Sequence, residues 1–166
     1  MHIEGSYVWH SKFQNIKFIG DTTDRTAVTH GVLVEGNACY FNLFHGCIFC
    51  FFEYSFSINY NFSTSTWNSS ALPSNATKIA QCQFDDQNTY GIYIGGSAGN
   101  VITGVDFNHS SGSTADIKLE QSPTVLSKGN IIEGRFESGA TSDVWVGDDC
   151  ISNVITVAIG AAVAFE

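Results

Sequence analysis

Four carboxylates stand where pairs of them could act on one substrate. Asp106 and Glu133 occupy nearby positions in two consecutive copies of a repeated segment, Asn100-Val101-Ile102 to Phe107 and Asn130-Ile131-Ile132 to Phe136. Asp85 and Asp86 follow a third copy that ends at Phe84. Acid-catalysed cleavage of a glycosidic bond uses two carboxyl groups, about 5–5.5 Å apart for retention and about 6.5–9.5 Å for inversion. Neighbouring strands lie about 4.8 Å apart, so carboxylates one or two strands apart on one face meet that condition. Each pair also has a plainer reading. Aligning Phe107 with Phe136 sets Asp106 beside Arg135, an exposed ion pair worth about 0–1 kcal/mol. Asp85-Asp86 reads equally as an acidic turn.

A second set has the chemistry of sugar recognition. Tyr93, Lys118 and Trp145 are the central residues of three similar strands. Alternation turns their flanking Ile, Leu and Val inward and these three outward. One position on, Glu35 and Glu120 share a register with Gly95 and Gly147. Aromatic faces stack on the apolar side of sugar rings, and carboxylates accept hydroxyl hydrogen bonds. The plainer reading is a contact with a neighbouring subunit or between strands.

His45-Gly46-Cys47 with Cys50 is half of a zinc site, and no second half follows at ligand spacing. Ile48, Phe49, Phe51 and Phe52 around it argue for thiols in an apolar interior. The expectation is no metal and no cofactor. Five cysteines, irregularly spaced, do not form a disulfide framework in a chain this long. Neither a serine nucleophile elbow nor a phosphate-binding loop is present.

The elements that must position these residues are short strands. Gly-apolar-x-apolar motifs occur at Gly31-Val32-Leu33-Val34 and Gly91-Ile92-Tyr93-Ile94, with related ones at Asp116 to Leu119 and Asp143 to Val146. Ile92, Ile117 and Val144 are spaced by 25 and 27 residues, and Asn100, Asn130 and Asn153 by 30 and 23. A period in the twenties with two or three strands per period is one coil of a β-helix. Phe56-Ser57-Ile58 supplies the strand missing between Val32 and Ile92, and residues 59–77 become an enlarged turn. The reading is one all-β domain over residues 1–166, a right-handed parallel β-helix of roughly five coils. Asn at the turns is expected to take left-handed dihedrals and to bond along a ladder. An antiparallel sandwich would call for Asn-Gly hairpin turns, which are absent.

Gly-Ile-Tyr-Ile-Gly-Gly (91–96), Gly-Asn-Val-Ile-Thr-Gly-Val-Asp-Phe (99–107) and Gly-Asn-Ile-Ile-Glu-Gly-Arg-Phe-Glu (129–137) resemble pectate-lyase-type β-helices. More narrowly, the chain from about Asn15 to Ile159 resembles the β-helical trunk of bacteriophage tailspikes. That resemblance implies a homotrimer on a virion tail or otherwise extracellular, recognising a bacterial surface polysaccharide. It implies depolymerisation in some members, with Asp or Glu pairs sometimes lying between subunits, and a purely binding or structural role in others. No catalytic motif carries over residue by residue. A secreted pectate-lyase-like enzyme is a further alternative. Such lyases use Ca²⁺ held by clustered carboxylates and a basic residue for proton abstraction, and Lys and Arg are scarce near the Asp clusters.

Composition bounds the partners. The formal net charge is −9, with 7 basic and 16 acidic residues, which argues against nucleic acid. No apolar run reaches the roughly 18 residues of a membrane helix. The first thirteen residues lack the pattern of a signal peptide. The start reads as mid-fold, with Tyr7, Val8 and Trp9 strand-like, and the apolar tail from Ile159 to Phe165 reads as a covered boundary. Both suggest a piece of a longer, associating protein.

Overall fold

The computed structural model describes residues 1–4, 8–68, 73–109, 113–138, 140–157 and 163–165. The protein is nearly all β, and its two large sheets are parallel throughout. The first sheet holds seven strands in chain order: His2–Ile3, His30–Val34, Tyr54–Ile58, Tyr90–Gly95, Ala115–Glu120, Ser142–Val146 and Val163–Phe165. Between them the chain passes through the second sheet, beginning with the paired short strands Lys12–Gln14 and Lys17–Ile19. In Val101–His109 and Ile131–Ser138 the two members of such a pair are joined in one longer strand, and Val154–Val157 extends the sheet beside the first half of the latter. The seven strands exceed the expected five coils because His2–Ile3 is too short to show periodicity and Val163–Phe165 lies in the tail. Tyr7 and residues 158–162 of that tail lie outside the described residues.

Register follows the apolar pattern. Ile92 pairs with Ile117 and Ile117 with Val144, while Ile94, Leu119 and Val146 align beside them. All six are buried. In the second sheet Phe18, Phe49, Phe84, Phe107 and Phe136 stack with ring centroids 4.8, 4.9, 4.8 and 5.2 Å apart and planes within 15° of parallel. Each such contact adds about 0.5–1.5 kcal/mol beyond the area it buries. Cys47 and Cys82 are free, buried and at matching positions inside this core, where burial pushes the Cys82 thiol up to about 11.

Corners repeat as strictly as strands. His10, Phe41, Ala76, Gly99, Gly129 and Ser152 all take positive φ at equivalent positions, between 53° and 66°. The buried Asn100 and Asn130 come next in sequence and form the ladder. Asn130 Oδ1 accepts from Asn100 N at 3.0 Å and Asn100 Nδ2 at 2.9 Å, and Asn153 Oδ1 does the same for Asn130 at 3.0 and 2.9 Å. The ladder is therefore present, but its asparagines are not the left-handed residues. The preceding residue turns the corner, and the asparagine then satisfies backbone groups that the turn would otherwise leave buried and unpaired. Asn15 and Asn59 are the asparagines that do take positive φ, 53° and 64°.

The enlarged turn at 59–77 contains an antiparallel pair, Tyr60–Asn61 with Thr66–Trp67, closed without Asn-Gly. Asn61 Oδ1 accepts from Ser63 N and Thr64 N at 3.0 and 3.3 Å and shapes the turn. Buried Asn59 ties both ends of the insertion together: its Nδ2 donates to Ser74 O at 2.8 Å and its Oδ1 accepts from Ser74 N at 2.9 Å. Residues 69–72 of this turn lie outside the described residues.

Candidate functional site

The hairpin folds onto the outer face of the first sheet and changes what that face presents. Tyr93, Lys118 and Trp145 do align across three strands. Tyr93, however, is only 2% exposed. Phe62, Tyr60 and Trp67 from the hairpin lie over it, with ring centroids at 4.9, 5.5 and 6.3 Å. Phe62 also stacks on Tyr54 at 3.6 Å, 7° from parallel. Tyr93 thus points away from the core, as its alternation requires, yet offers no ring face to a ligand. The sequence pattern could set its direction but not its cover.

That cover creates a low-dielectric pocket with few polar partners. The Tyr93 hydroxyl donates to Glu120 Oε2. Burial, then the Glu120 carboxylate, hold the phenol well above its ordinary range. Lys118 Nζ lies 3.1 Å from the same Glu120 oxygen. It also sits 3.8 Å from the centre of the Trp145 ring, and 5.4 and 5.8 Å from those of Tyr90 and Tyr93. An ammonium over aromatic faces is attracted to their negative quadrupoles. Lys118 is therefore an internal strut that fixes both Trp145 and Glu120.

Trp145 separates two surface cavities. One, about 340 Å³, is bounded by Tyr90, Lys118 and Ser142. The other, about 360 Å³, is an open cleft between Trp67 and Trp145 whose floor and rim include Glu120, Gln121, Ser122, Gly147 and Asp148. Gly95 makes the cleft possible, because a Cβ there would lie 2.5 Å from the Trp67 ring. Trp67 and Asp148 escaped the sequence reading. Trp67 belongs to the insertion rather than to the repeat, though the aromatic content of that insertion (Tyr60, Phe62, Trp67) was a usable signal.

Glu35 is not part of this cleft. It accepts from Asn61 Nδ2 at 3.3 Å and pairs with His2 Nε2 at 2.8 Å, on the other side of the hairpin. Nearby His30 accepts from Phe62 N at 3.2 Å, and burial, its largest influence, drives the imidazole down to about 4.

The second sheet carries the expected carboxylates. Asp106 and Glu133 line one cavity of about 440 Å³ together with Arg135 and Thr156. Gly104, at φ 60°, inserts an extra residue here and shifts the register between Thr103 and Val105. The bulge keeps Val105 in the core and turns Asp106 outward, directly opposite Arg135. Glu133 sits opposite Thr103, diagonal to Asp106. One Asp106 oxygen, Oδ1, is enclosed and accepts no hydrogen bond among the described residues.

Asp85 and Asp86 do not join that cavity. Asp85 belongs to the strand Gln83–Asp85 rather than to a turn, and it accepts from Gln83 Nε2 at 3.0 and 3.2 Å. Asp86 is the turn residue, at φ 53°. Cys50 donates its thiol to Asp85 at 3.7 Å, while Cys47 faces the core, so the Cys-x-x-Cys pair is divided between two environments. Among the described residues no cluster of three His, Cys, Asp or Glu side chains could hold a metal ion. No described helix is long and apolar enough to cross a membrane.

No protein family, no curated protein and no solved structure matches this chain.

Proposed function

We propose that the two parallel sheets wind as a right-handed β-helix and that the chain is a tailspike-type domain binding a bacterial surface polysaccharide. The observation that carries this reading is the open cleft between Trp67 and Trp145, walled by two indoles and edged by Glu120 and Asp148. Sugar sites need that combination of flat apolar walls and a few fixed polar groups. The aligned corners and the asparagine ladder support the winding.

Depolymerisation is the further step of the same reading. Asp106 and Glu133 share a cavity, as a general acid and a general base flanking a glycosidic bond must. Ile131 and Val154, stacked in register and exposed, support association into a homotrimer, as on a virion tail. An assembly role without a sugar site is favoured by that apolar stripe taken alone.

The test is incubation with a panel of bacterial capsular and O-antigen polysaccharides, following binding, new reducing ends and the ultraviolet absorbance of unsaturated uronates. Binding to one polymer that is lost in Trp145→Ala, together with new reducing ends that are lost in Asp106→Asn, is the expected result. Silence on every polymer would reduce the chain to an assembly module. Sedimentation of the same protein checks the trimer.

A further inference from the structure

The cleft beside Trp145 has a charge pattern that narrows its ligand. Glu120 and Asp148 both line it, and among the described residues no cation lines it with them. Lys118 neutralises part of Glu120 from the other side of Trp145, and it is already held there by the ion pair and three rings. Asp148 is exposed at the rim, and Asp149 beside it accepts from Gln121 Nε2 at 3.3 Å. An anionic sugar entering this cleft would meet the exposed Asp148 and a Glu120 only partly offset by Lys118, on a chain whose net charge is −9. A protonated amine would meet two indoles and two carboxylates, the surroundings that favour a cation most.

The protein makes this arrangement once already. The Lys118 ammonium lies 3.8 Å from the Trp145 ring centre and 3.1 Å from Glu120. The cleft that Trp145 and Glu120 also line adds a second tryptophan, Trp67, and a second carboxylate, Asp148, and opens to solvent.

We propose that the Trp67–Trp145 cleft selects a glycan residue bearing a free amine and rejects uronates. The inference rests on the glycan-binding reading above and adds the class of sugar. Its prediction is an order: glucosamine oligomers bind more tightly than N-acetylglucosamine oligomers of equal length, and galacturonate oligomers bind most weakly.

Tryptophan fluorescence titration with these three oligomers tests it, at about pH 5.5, where amines are protonated and ordinary carboxylates ionised. Trp145→Phe serves as the control that the signal comes from the cleft. Asp148→Asn should weaken the glucosamine oligomer by roughly tenfold, the effect of one close charge. It should leave the acetylated oligomer unchanged, which a folding defect would not do. Galacturonate binding as well as or better than glucosamine would overturn the selectivity and leave glycan binding standing. The acetylated oligomer matching glucosamine would also overturn it. No response to any of the three, with the surface polysaccharides silent too, would remove both readings.

Discussion

The two outward faces of this protein are built from the same strand repeat and end in opposite physical states. On the first sheet a hairpin lies over the strands, so Tyr93 is buried and its hydroxyl joins Lys118 and the partly exposed Glu120 in a small network. On the second sheet Glu133 and Arg135 stand exposed beside an open cavity that the half-buried Asp106 also lines. A polar contact sealed by an insertion acts at lower effective dielectric than the same contact on a bare sheet. The first face should therefore respond strongly to mutation, whereas the second should tolerate it in stability and show any effect in function.

The largest contrast is between Tyr93→Ala and Asp106→Ala. Removing a fully covered aromatic ring costs about 3–5 kcal/mol, while the open-face change stays within about 1 kcal/mol. Urea unfolding of the two variants measures both, and equal losses would erase the distinction between the faces.

Alkaline pH gives the next effect. A tyrosine whose folded pKa is raised contributes stability that is fully present below its unfolded value of about 10 and is lost as pH rises above it. Burial, then Glu53, raise Tyr54 to about 12, and Tyr93 is raised further in the same direction. Stability should fall from about pH 10 through pH 12, and Tyr93→Phe should flatten that fall. A pH series of denaturant midpoints follows it.

Tyr93→Phe itself removes one hydrogen bond to a carboxylate, worth about 1.5–3 kcal/mol. In a Glu120→Gln background the loss should shrink, and the double-mutant cycle reports the coupling between the two. Additive losses would mean that the covered network is not a unit. Lys118→Met is the smallest expected change, about 1 kcal/mol, because its aliphatic stem is kept and only the cation is lost. Its clearer sign is altered near-ultraviolet circular dichroism, as Trp145 loses the charge that holds it.

Much of the fold was legible because a parallel stack repeats its sequence. Ile92, Ile117 and Val144 are spaced as their registration requires, and Phe107 marks Phe136 as its neighbour. The opposition of Asp106 and Arg135 followed from that alignment alone. The asparagine ladder was legible in kind but not in geometry, since sequence shows that Asn recurs and not which residue carries the positive φ. The candidate sugar site was half legible. Lys118, Trp145 and Glu120 lie on the repeat, and Trp67 and Asp148 do not.

The sequence by itself determined the strands, their faces and their register, because each depends on the period-two alternation and on identical neighbours one pass away. Only the tertiary structure decided what covers each face. Tyr93 is directed outward by its strand and buried by Phe62, Tyr60 and Trp67, which lie some thirty residues earlier in an insertion with no repeat to align it. Local pattern sets the direction of a side chain, and the docking of a non-periodic segment determines whether water reaches it.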